Sequence, residues 1–282
     1  MAEPWHESRR EHEPAETTVD ITETTRVLIT GANGGIGAAI ARAFARRGAR
    51  LLVTGRRPDA LEALCAELGA EALSADLVNE ADVERLCQAS LDCDVVVHNA
   101  ALPASGPLGD FTPDEIDRAL AVNLRAPIHI ARAAGAAMAE RSRGHIVFIS
   151  SIAGKVASGH TSLYSATKFG LRGFSLGLRE DLRASGVGVT TVFPGFIREA
   201  GMFAMTGVKL PTGVGTRSPE DVAAAVLHAV LRNPAEIDVA AFEQRLGGWI
   251  GHFAPDFVAR IQRMSGGEAI WTKISAGQRN KR

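Results

Sequence analysis

Val27-Leu28-Ile29-Thr30-Gly31-Ala32-Asn33-Gly34-Gly35-Ile36-Gly37 decides the fold of this chain. A short β-branched and apolar run stops at Thr30, a glycine-rich turn follows, and Ala38-Ala39-Ile40-Ala41-Arg42-Ala43-Phe44 continues with helical character. A backbone that must turn this tightly and approach a pyrophosphate has no room for side chains. The helix that opens from the turn then offers its free N–H groups to the anion. Glycine-rich turns are often mere loops, but here strand, turn and helix arrive in the required order near the start of the chain.

Outward from this turn the same alternation repeats. Apolar runs recur at Val27–Thr30, Leu51–Thr54, Val95–His98, His145–Ser150 and Val187–Phe193. Helical stretches lie between and after them at about 35–47, 58–68, 79–89, 113–140, 161–185 and 219–232. Near-continuous apolar strands are those buried on both faces of a parallel sheet. The pattern predicts an α/β fold, a Rossmann-like doubly wound parallel sheet in a single domain over residues 25–240. Gly48 after Arg46-Arg47 marks a helix end, and Ser218-Pro219-Glu220-Asp221 marks a helix start. Residues 1–24 are polar, rich in Glu and without apolar period, and are expected to form a disordered arm. Residues 241–282 are expected to add one or two helices that pack on the body or on a partner subunit, with Leu246, Trp249, Ile250, Phe253, Phe257, Val258 and Ile261 as their apolar surface.

Composition narrows the function classes. The 282 residues carry a net charge of -1, which argues against a nucleic-acid partner or an anionic membrane. No apolar run approaches the roughly 20 residues of a membrane span. Three cysteines without CxxC spacing read as reduced thiols, and a cytoplasmic enzyme is expected. His6 and His12 read as scattered tail histidines, and no metal site is expected.

The glycine spacing, Gly31, Gly35 and Gly37 in the form TGxxxGIG, resembles that of the short-chain dehydrogenases/reductases, and further matches follow in that family's order. Asp76-Leu77 resembles the pair that meets the adenine. His98-Asn99-Ala100-Ala101 resembles the family's Asn-Asn-Ala-Gly, with His98 and Ala101 as departures. Asn123 stands at the family's helix asparagine. Ser151, Tyr164 and Lys168 match its catalytic serine and YxxxK, and Pro194-Gly195 its turn beside the nicotinamide. The likeness spans about residues 25–240. It implies a catalytic set of Asn123, Ser151, Tyr164 and Lys168. It also implies a cofactor site of Gly31, Asn33, Gly34, Gly35, Ile36, Gly37, Arg56, Asp76, Leu77, Asn99, Ala100, Tyr164, Lys168, Pro194, Gly195 and Ile197. In the family the lysine also grips the nicotinamide ribose, the asparagine holds a relay water, and the chains assemble as homodimers or homotetramers through the two long helices.

The chemistry suits those residue types. Tyr164 and Lys168 are four apart and share a helix face. A free tyrosine, with a pKa of about 10, is a poor base at neutral pH. A neighbouring ammonium favours phenolate while burial opposes it, and the expectation here is that the charge wins. In reduction Tyr164 protonates the carbonyl oxygen while Ser151 holds it. Taken singly, a strand-end serine is a cap, a helix lysine is solvated and Asn123 satisfies backbone. The ordered set, with Tyr164 the single tyrosine of the chain, favours chemistry.

At the end of the second strand Thr54-Gly55-Arg56-Arg57 holds no acid for a ribose 2′-OH. Arg56 is shaped to hold a 2′-phosphate, so NADP(H) is expected with NAD(H) as an alternative; a solvated turn is the other reading of the two arginines. Phe196–Leu210 suits a mobile cover over an apolar carbonyl substrate, with Met202, Phe203 and Met205 either shaping the pocket or packing a hinge. Glu199 stands where the family often has a threonine against the carboxamide. Two rival readings remain at this point. One is an NAD-linked alcohol dehydrogenase of a lipid, steroid-like or polyketide-like substrate. The other is a nucleotide-sensing regulator without catalysis.

Overall fold

In the computed structural model, which describes residues 18–264 and 267–279 apart from 209 and 211–213, seven strands form one parallel sheet. They are β1 Arg26–Thr30, β2 Arg50–Gly55, β3 Glu71–Ser74, β4 Val95–His98, β5 Gly144–Ile149, β6 Val187–Pro194 and β7 Glu236–Val239. Their spatial order is β3-β2-β1-β4-β5-β6-β7. The four inner strands read from sequence as apolar runs beside β1 are buried almost throughout. The two edge strands, Glu-Ala-Leu-Ser and Glu-Ile-Asp-Val, are more exposed and carry no such run, because each has a neighbour on one side only.

Helices cover both faces. α1 (Gly35–Ala45), α2 (Pro58–Leu68) and α8 (Pro219–Arg232) pack on one side, where Ile40, Phe44 and Val226 are fully buried. On the other side α3 (Glu80–Ser90), α4 (Pro113–Leu120), α5 (Ala126–Glu140) and α6 (Ser162–Leu182) bury Leu86, Ile130 and Leu171. α8 begins at a capping box in which Ser218 Oγ accepts from the Asp221 N–H and the Asp221 carboxylate accepts from the Ser218 N–H. The short α7 (Gly201–Ala204) and, after β7, the helices α9 (Phe242–Phe253), α10 (Pro255–Met264) and α11 (Gly267–Gln278) complete the described chain.

The structure corrects the sequence reading in three places. Residues 241–282, expected to add one or two helices, hold three among the described residues, and of the apolar surface expected there Val258 is buried while Leu246, Trp249, Phe253, Phe257 and Ile261 are exposed. Residues 18–24, assigned to a disordered arm, are attached to the body. Val19 is buried, its N–H donates to the Val230 carbonyl at 3.2 Å, and Ile21 packs on the same core. The remainder of that arm, residues 1–17, lies outside the described residues. The single helix expected over 113–140 is also interrupted, by a π turn at Ala121–Arg125 in which the Ala126 N–H reaches back to the Ala121 carbonyl. Pro127 supplies the reason. It has no N–H to give to the carbonyl of Asn123 four residues earlier, so the regular ladder fails at that point.

Candidate active site

The strand order reverses between β1 and β4, and the loops leaving their carboxyl ends part there to form a crevice. Asn99 ties the two loops together. Its N–H donates to Thr30 Oγ1 at 3.0 Å, and its Nδ2 donates to the carbonyls of Thr30 and Gly31 at 3.0 and 3.1 Å. The turn then passes so close to the β4 loop that a Cβ on Gly31, whose φ is +67°, would lie 2.8 Å from Ala100 Cα. Only glycine fits that approach with that backbone.

The groove so formed has a volume of about 890 Å³. Gly31, Asn33, Gly34, Gly35, Ile36, Gly37, Arg56, Asp76, Leu77, Asn99 and Ala100, all expected at a cofactor, line it. Arg56 is exposed at its rim, and Arg57, exposed as well, donates to the Asn33 carbonyl at 3.2 Å. The two arginines are thus separated: Arg57 is bonded to the glycine turn, and Arg56 lines the groove. Where an acidic side chain would start at position 55, a Cβ would lie 2.6 Å from Asn33 Cγ. Asn33 occupies that space. Asp76 is half-buried; its Oδ1 accepts from the Val78 N–H at 3.1 Å.

A second cleft of about 830 Å³ opens beside the groove and shares Ile36, Asn99, Gly201 and Met202 with it. Ser151, Tyr164, Lys168, Pro194, Gly195 and Ile197 all face it. Ser151 comes from the turn after β5, Tyr164 and Lys168 from the first turns of α6, and the rest from the loop after β6. Ser151 Oγ accepts from the Ala153 N–H at 3.2 Å and lies close enough to the Tyr164 phenol to favour its ionised form. Burial nevertheless dominates that phenol and pushes it up to about 12, with Ser151 working the other way. Lys168 is buried and pushed down to about 8 by its desolvation. Its Nζ donates to the Ile149 carbonyl at 3.0 Å and lies 5.7 Å from the centre of the Tyr164 ring. This runs against the expectation that the ammonium would hold the tyrosine below its ordinary value. The reason is that burial raises the phenol while the lysine is turned to a backbone carbonyl.

Asn123 is not brought into the cleft. Fully buried, it binds the backbone of Leu102 from both ends of its amide: Oδ1 accepts from the Leu102 N–H at 2.7 Å, and Nδ2 donates to the Leu102 carbonyl at 3.0 Å. Its side chain fixes the loop after β4 in place. His98, the departure from the family's asparagine, is buried and stacked on Phe148 with ring centres 4.8 Å apart, and burial pushes it down to about 3. It packs as a neutral ring.

Sequence reasoning missed one wall of the cleft. Trp271, Ile274 and Gln278 of α11 line it as well, with Trp271 6.1 Å from Phe196 between ring centres. Gln278 Nε2 donates to the Met202 carbonyl at 3.4 Å and so ties α11 to α7. The one available signal was the i, i+3, i+7 spacing of those three residues. Met202 and Phe203 do line the cleft, and Met205 lines the groove. Glu199, with φ +67°, reaches toward Arg198, their charged atoms 3.4 Å apart.

Residues 25–208 match the short chain dehydrogenase family. The chain is 32% identical over 254 residues to the ketoacyl reductase HetN of Nostoc, covering 85% of this chain and 88% of that protein. Among solved structures, a short-chain dehydrogenase from Sphingobium yanoikuyae in complex with NADPH is 30% identical, with a TM-score of 0.72 over 86% of this chain and 95% of that one. The bulky-bulky ketone specific alcohol dehydrogenase from Comamonas testosteroni is 26% identical, with a TM-score of 0.71 over 82% of this chain and 95% of that one.

Proposed function

We propose that this chain, which belongs to the short-chain dehydrogenase family and is an NAD(P)-dependent oxidoreductase, reduces an apolar ketone or aldehyde with NADP(H) as its preferred cofactor. One observation carries the reading: Ser151, Tyr164 and Lys168 converge on an apolar cleft that adjoins the glycine-turn groove at the carboxyl edge of the sheet. The groove fits the dinucleotide, since its floor is backbone that approaches where a Cβ would clash. The N-terminus of α1 would take the pyrophosphate, Asp76 and Leu77 the adenine side, and Arg56 the 2′-phosphate. Pro194, Gly195 and Ile197 would flank the nicotinamide end. When bound, the dinucleotide supplies the hydride.

The residues of the chain supply the proton and the orientation. A phenol held above its ordinary pKa is protonated at neutral pH, so Tyr164 stands ready to donate to a carbonyl oxygen. Ser151, which faces the same cleft as that phenol, would hold the same oxygen in line. Lys168 would grip the ribose. Asn123, through its hold on Leu102, would keep the loop beside the groove rigid and thereby assist any relay from its backbone.

Phe196, Met202, Phe203 and Trp271 support an apolar substrate. The alcohol dehydrogenase specific for bulky ketones and the ketoacyl reductase among its relatives agree with a carbonyl compound of some size. Phe169 and Leu176 are exposed seven residues apart on one face of α6 and suit a homodimer or homotetramer. Oxidation of a lipid-like alcohol with NAD(H) is the same site run in reverse, with the other cofactor.

The test is to follow NADPH and NADH oxidation over a panel of ketones and aldehydes, with the wild type and Arg56→Ala. Turnover of bulky apolar ketones is expected, with NADPH favoured and Arg56→Ala weakening NADPH far more than NADH. Equal losses for the two cofactors would remove the phosphate role from Arg56. Turnover confined to small hydrophilic sugars would refute the apolar pocket.

A further inference from the structure

Behind the cleft lies a half-buried cluster of two cations and two carboxylates that the proposed reaction does not use. The Lys155 ammonium is 2.6 Å from Asp238 Oδ1 and 3.0 Å from Glu236 Oε2, and its side chain is only 13% exposed. Arg172 Nε and Nη2 donate to the two oxygens of Glu236 at 2.6 and 3.2 Å. Both cations also lie over the ring of Phe193, with Lys155 Nζ 4.2 Å and Arg172 Cζ 5.8 Å from its centre.

The placement of these residues is what gives the cluster a use. Lys155 follows the single turn Ile152–Gly154 that begins at Ser151. Arg172 is four residues beyond Lys168 and eight beyond Tyr164, on the same face of α6. Phe193 precedes Pro194-Gly195. The carboxylates belong to the edge strand β7, which contributes nothing to the wall of the cleft. One strand outside the site thus holds the three segments that carry its parts. The Ser151 turn is also pressed on α6: Ser150 Oγ donates to the Lys168 carbonyl at 3.2 Å, and a Cβ on Gly154 would lie 2.8 Å from that same oxygen. A small movement of this turn has no slack to be absorbed in, and it would carry Ser151 off the phenol.

We propose that Lys155 is a positioning residue for Ser151: clamped by Asp238 and Glu236 and seated over Phe193, it fixes the Ser151 turn at the distance from α6 at which the serine meets Tyr164. A hydrogen bond to a phenol is lost over a few tenths of an ångström, and two charge-assisted contacts fix the end of a four-residue turn far better than apolar packing does. This rests on the Ser151–Tyr164 pairing and not on the cofactor preference or the substrate.

Because Tyr164 is the single tyrosine, tyrosine labelled with carbon-13 at Cζ gives one resonance, and it reports hydrogen bonding of the phenol at neutral pH. The full chain, free of cofactor, is compared as wild type, Ser151→Ala, Lys155→Met, Lys155→Arg and the Ser151→Ala/Lys155→Met double variant. Ser151→Ala should move the resonance. Lys155→Met should move it in the same direction by more than half as much, Lys155→Arg should restore most of the wild-type position, and the double variant should match Ser151→Ala. A folded Lys155→Met with the wild-type resonance overturns the proposal. A shift of equal size with and without Ser151 also overturns it, since the lost charge would then be acting on the phenol directly. Should Lys155→Met not fold, Asp238→Asn decides: a shift of the same sign is expected, and none would overturn it. No turnover enters the measurement, so the hydride-transfer reading can fail while this one stands.

Discussion

The ammonium of Lys168 is bound to the carbonyl oxygen of Ile149, 3.0 Å away, and not to the phenol of Tyr164 four residues earlier on its own helix. Two residues at i and i+4 share a face, but the rotamers that fill that face are chosen by what lies across it. Across from Lys168 lies the end of β5, whose last carbonyl accepts its ammonium. The pair is therefore stored apart, with the tyrosine protonated and the lysine held at a backbone oxygen.

The first consequence is measurable as an absorbance titration, since tyrosinate can arise from Tyr164 alone in this chain. Burial pushes the phenol up to about 12 and Ser151 lowers it. The cofactor-free midpoint should lie well above 10, Ser151→Ala should raise it further, and bound oxidised cofactor should bring it down through added positive charge. A cofactor-free midpoint at or below 10 would show that the lysine charge outweighs burial after all.

Lys168 sets a pH dependence of stability. Its value falls from 10.5 in the unfolded chain to about 8 in the fold, so between these limits the unfolded chain binds the extra proton and stability rises with pH. Below pH 8 the full cost applies, about 3 kcal/mol at 1.36 kcal/mol per unit. Lys168→Met removes this cost and leaves the Ile149 carbonyl unpaired, which takes back about 1 kcal/mol. The variant should thus be more stable than the wild type by about 2 kcal/mol at pH 7, losing that advantage near pH 10.5. Urea unfolding at the two pH values checks this. A variant less stable than wild type at pH 7 would mean that the buried ammonium is well solvated or well bound.

Glu236 works in the opposite sense. Burial alone would raise its carboxyl, but hydrogen bonds from Arg172 and Lys155 outweigh it and hold the group below its ordinary 4.5. Its contribution is present above about pH 4.5 and is lost as the pH falls through the lower folded value. Glu236→Gln should cost about 1.5–3 kcal/mol at neutral pH, the range for a hydrogen bond to a charged group. The gap to wild type in chemical denaturation should narrow below pH 4.5. A gap independent of pH would show that the loss is one of shape and not of charge.

What the sequence could reveal of this site follows from how local each part is. The glycine turn needs a particular backbone, and Gly31, Gly35 and Gly37 write that need directly into the chain. Ser151, Tyr164 and Lys168 sit at fixed intervals on elements whose order was plain, so their convergence at the sheet edge could be foreseen. The direction of the Lys168 side chain could not, being set by a carbonyl from another strand. Trp271 reaches the cleft from a helix more than a hundred residues after Tyr164, and no local pattern tells where such a helix will lie. Val19 was misread because a single strand-like residue docking on α8 leaves no periodic trace. The π turn was foreseeable from Pro127, which marks the missing donor to Asn123.

The cofactor groove yields the last expectation. An acid at position 55 is the obvious way to turn the site toward NADH, because it would bond the ribose 2′-OH and repel a 2′-phosphate. In this chain the position is not free, since the first side-chain atom there would lie 2.6 Å from Asn33 Cγ. Asn33 is in turn held near by its own carbonyl, which accepts from Arg57 at 3.2 Å. Gly55→Asp alone should therefore weaken both cofactors, because the displaced Asn33 disturbs the turn that takes the pyrophosphate. With Asn33→Gly added, the space opens, and NADH should bind better than NADPH. Arg56→Ala by itself should cost NADPH about 1.5–3 kcal/mol, roughly 10- to 100-fold in Kd, and leave NADH nearly unchanged. Fluorescence titration of each variant with both reduced cofactors separates these cases. If Gly55→Asp alone gives a tight NADH enzyme, Asn33 is not the obstacle. If the double variant still favours NADPH, the acid does not reach the ribose and Arg56 alone sets the preference.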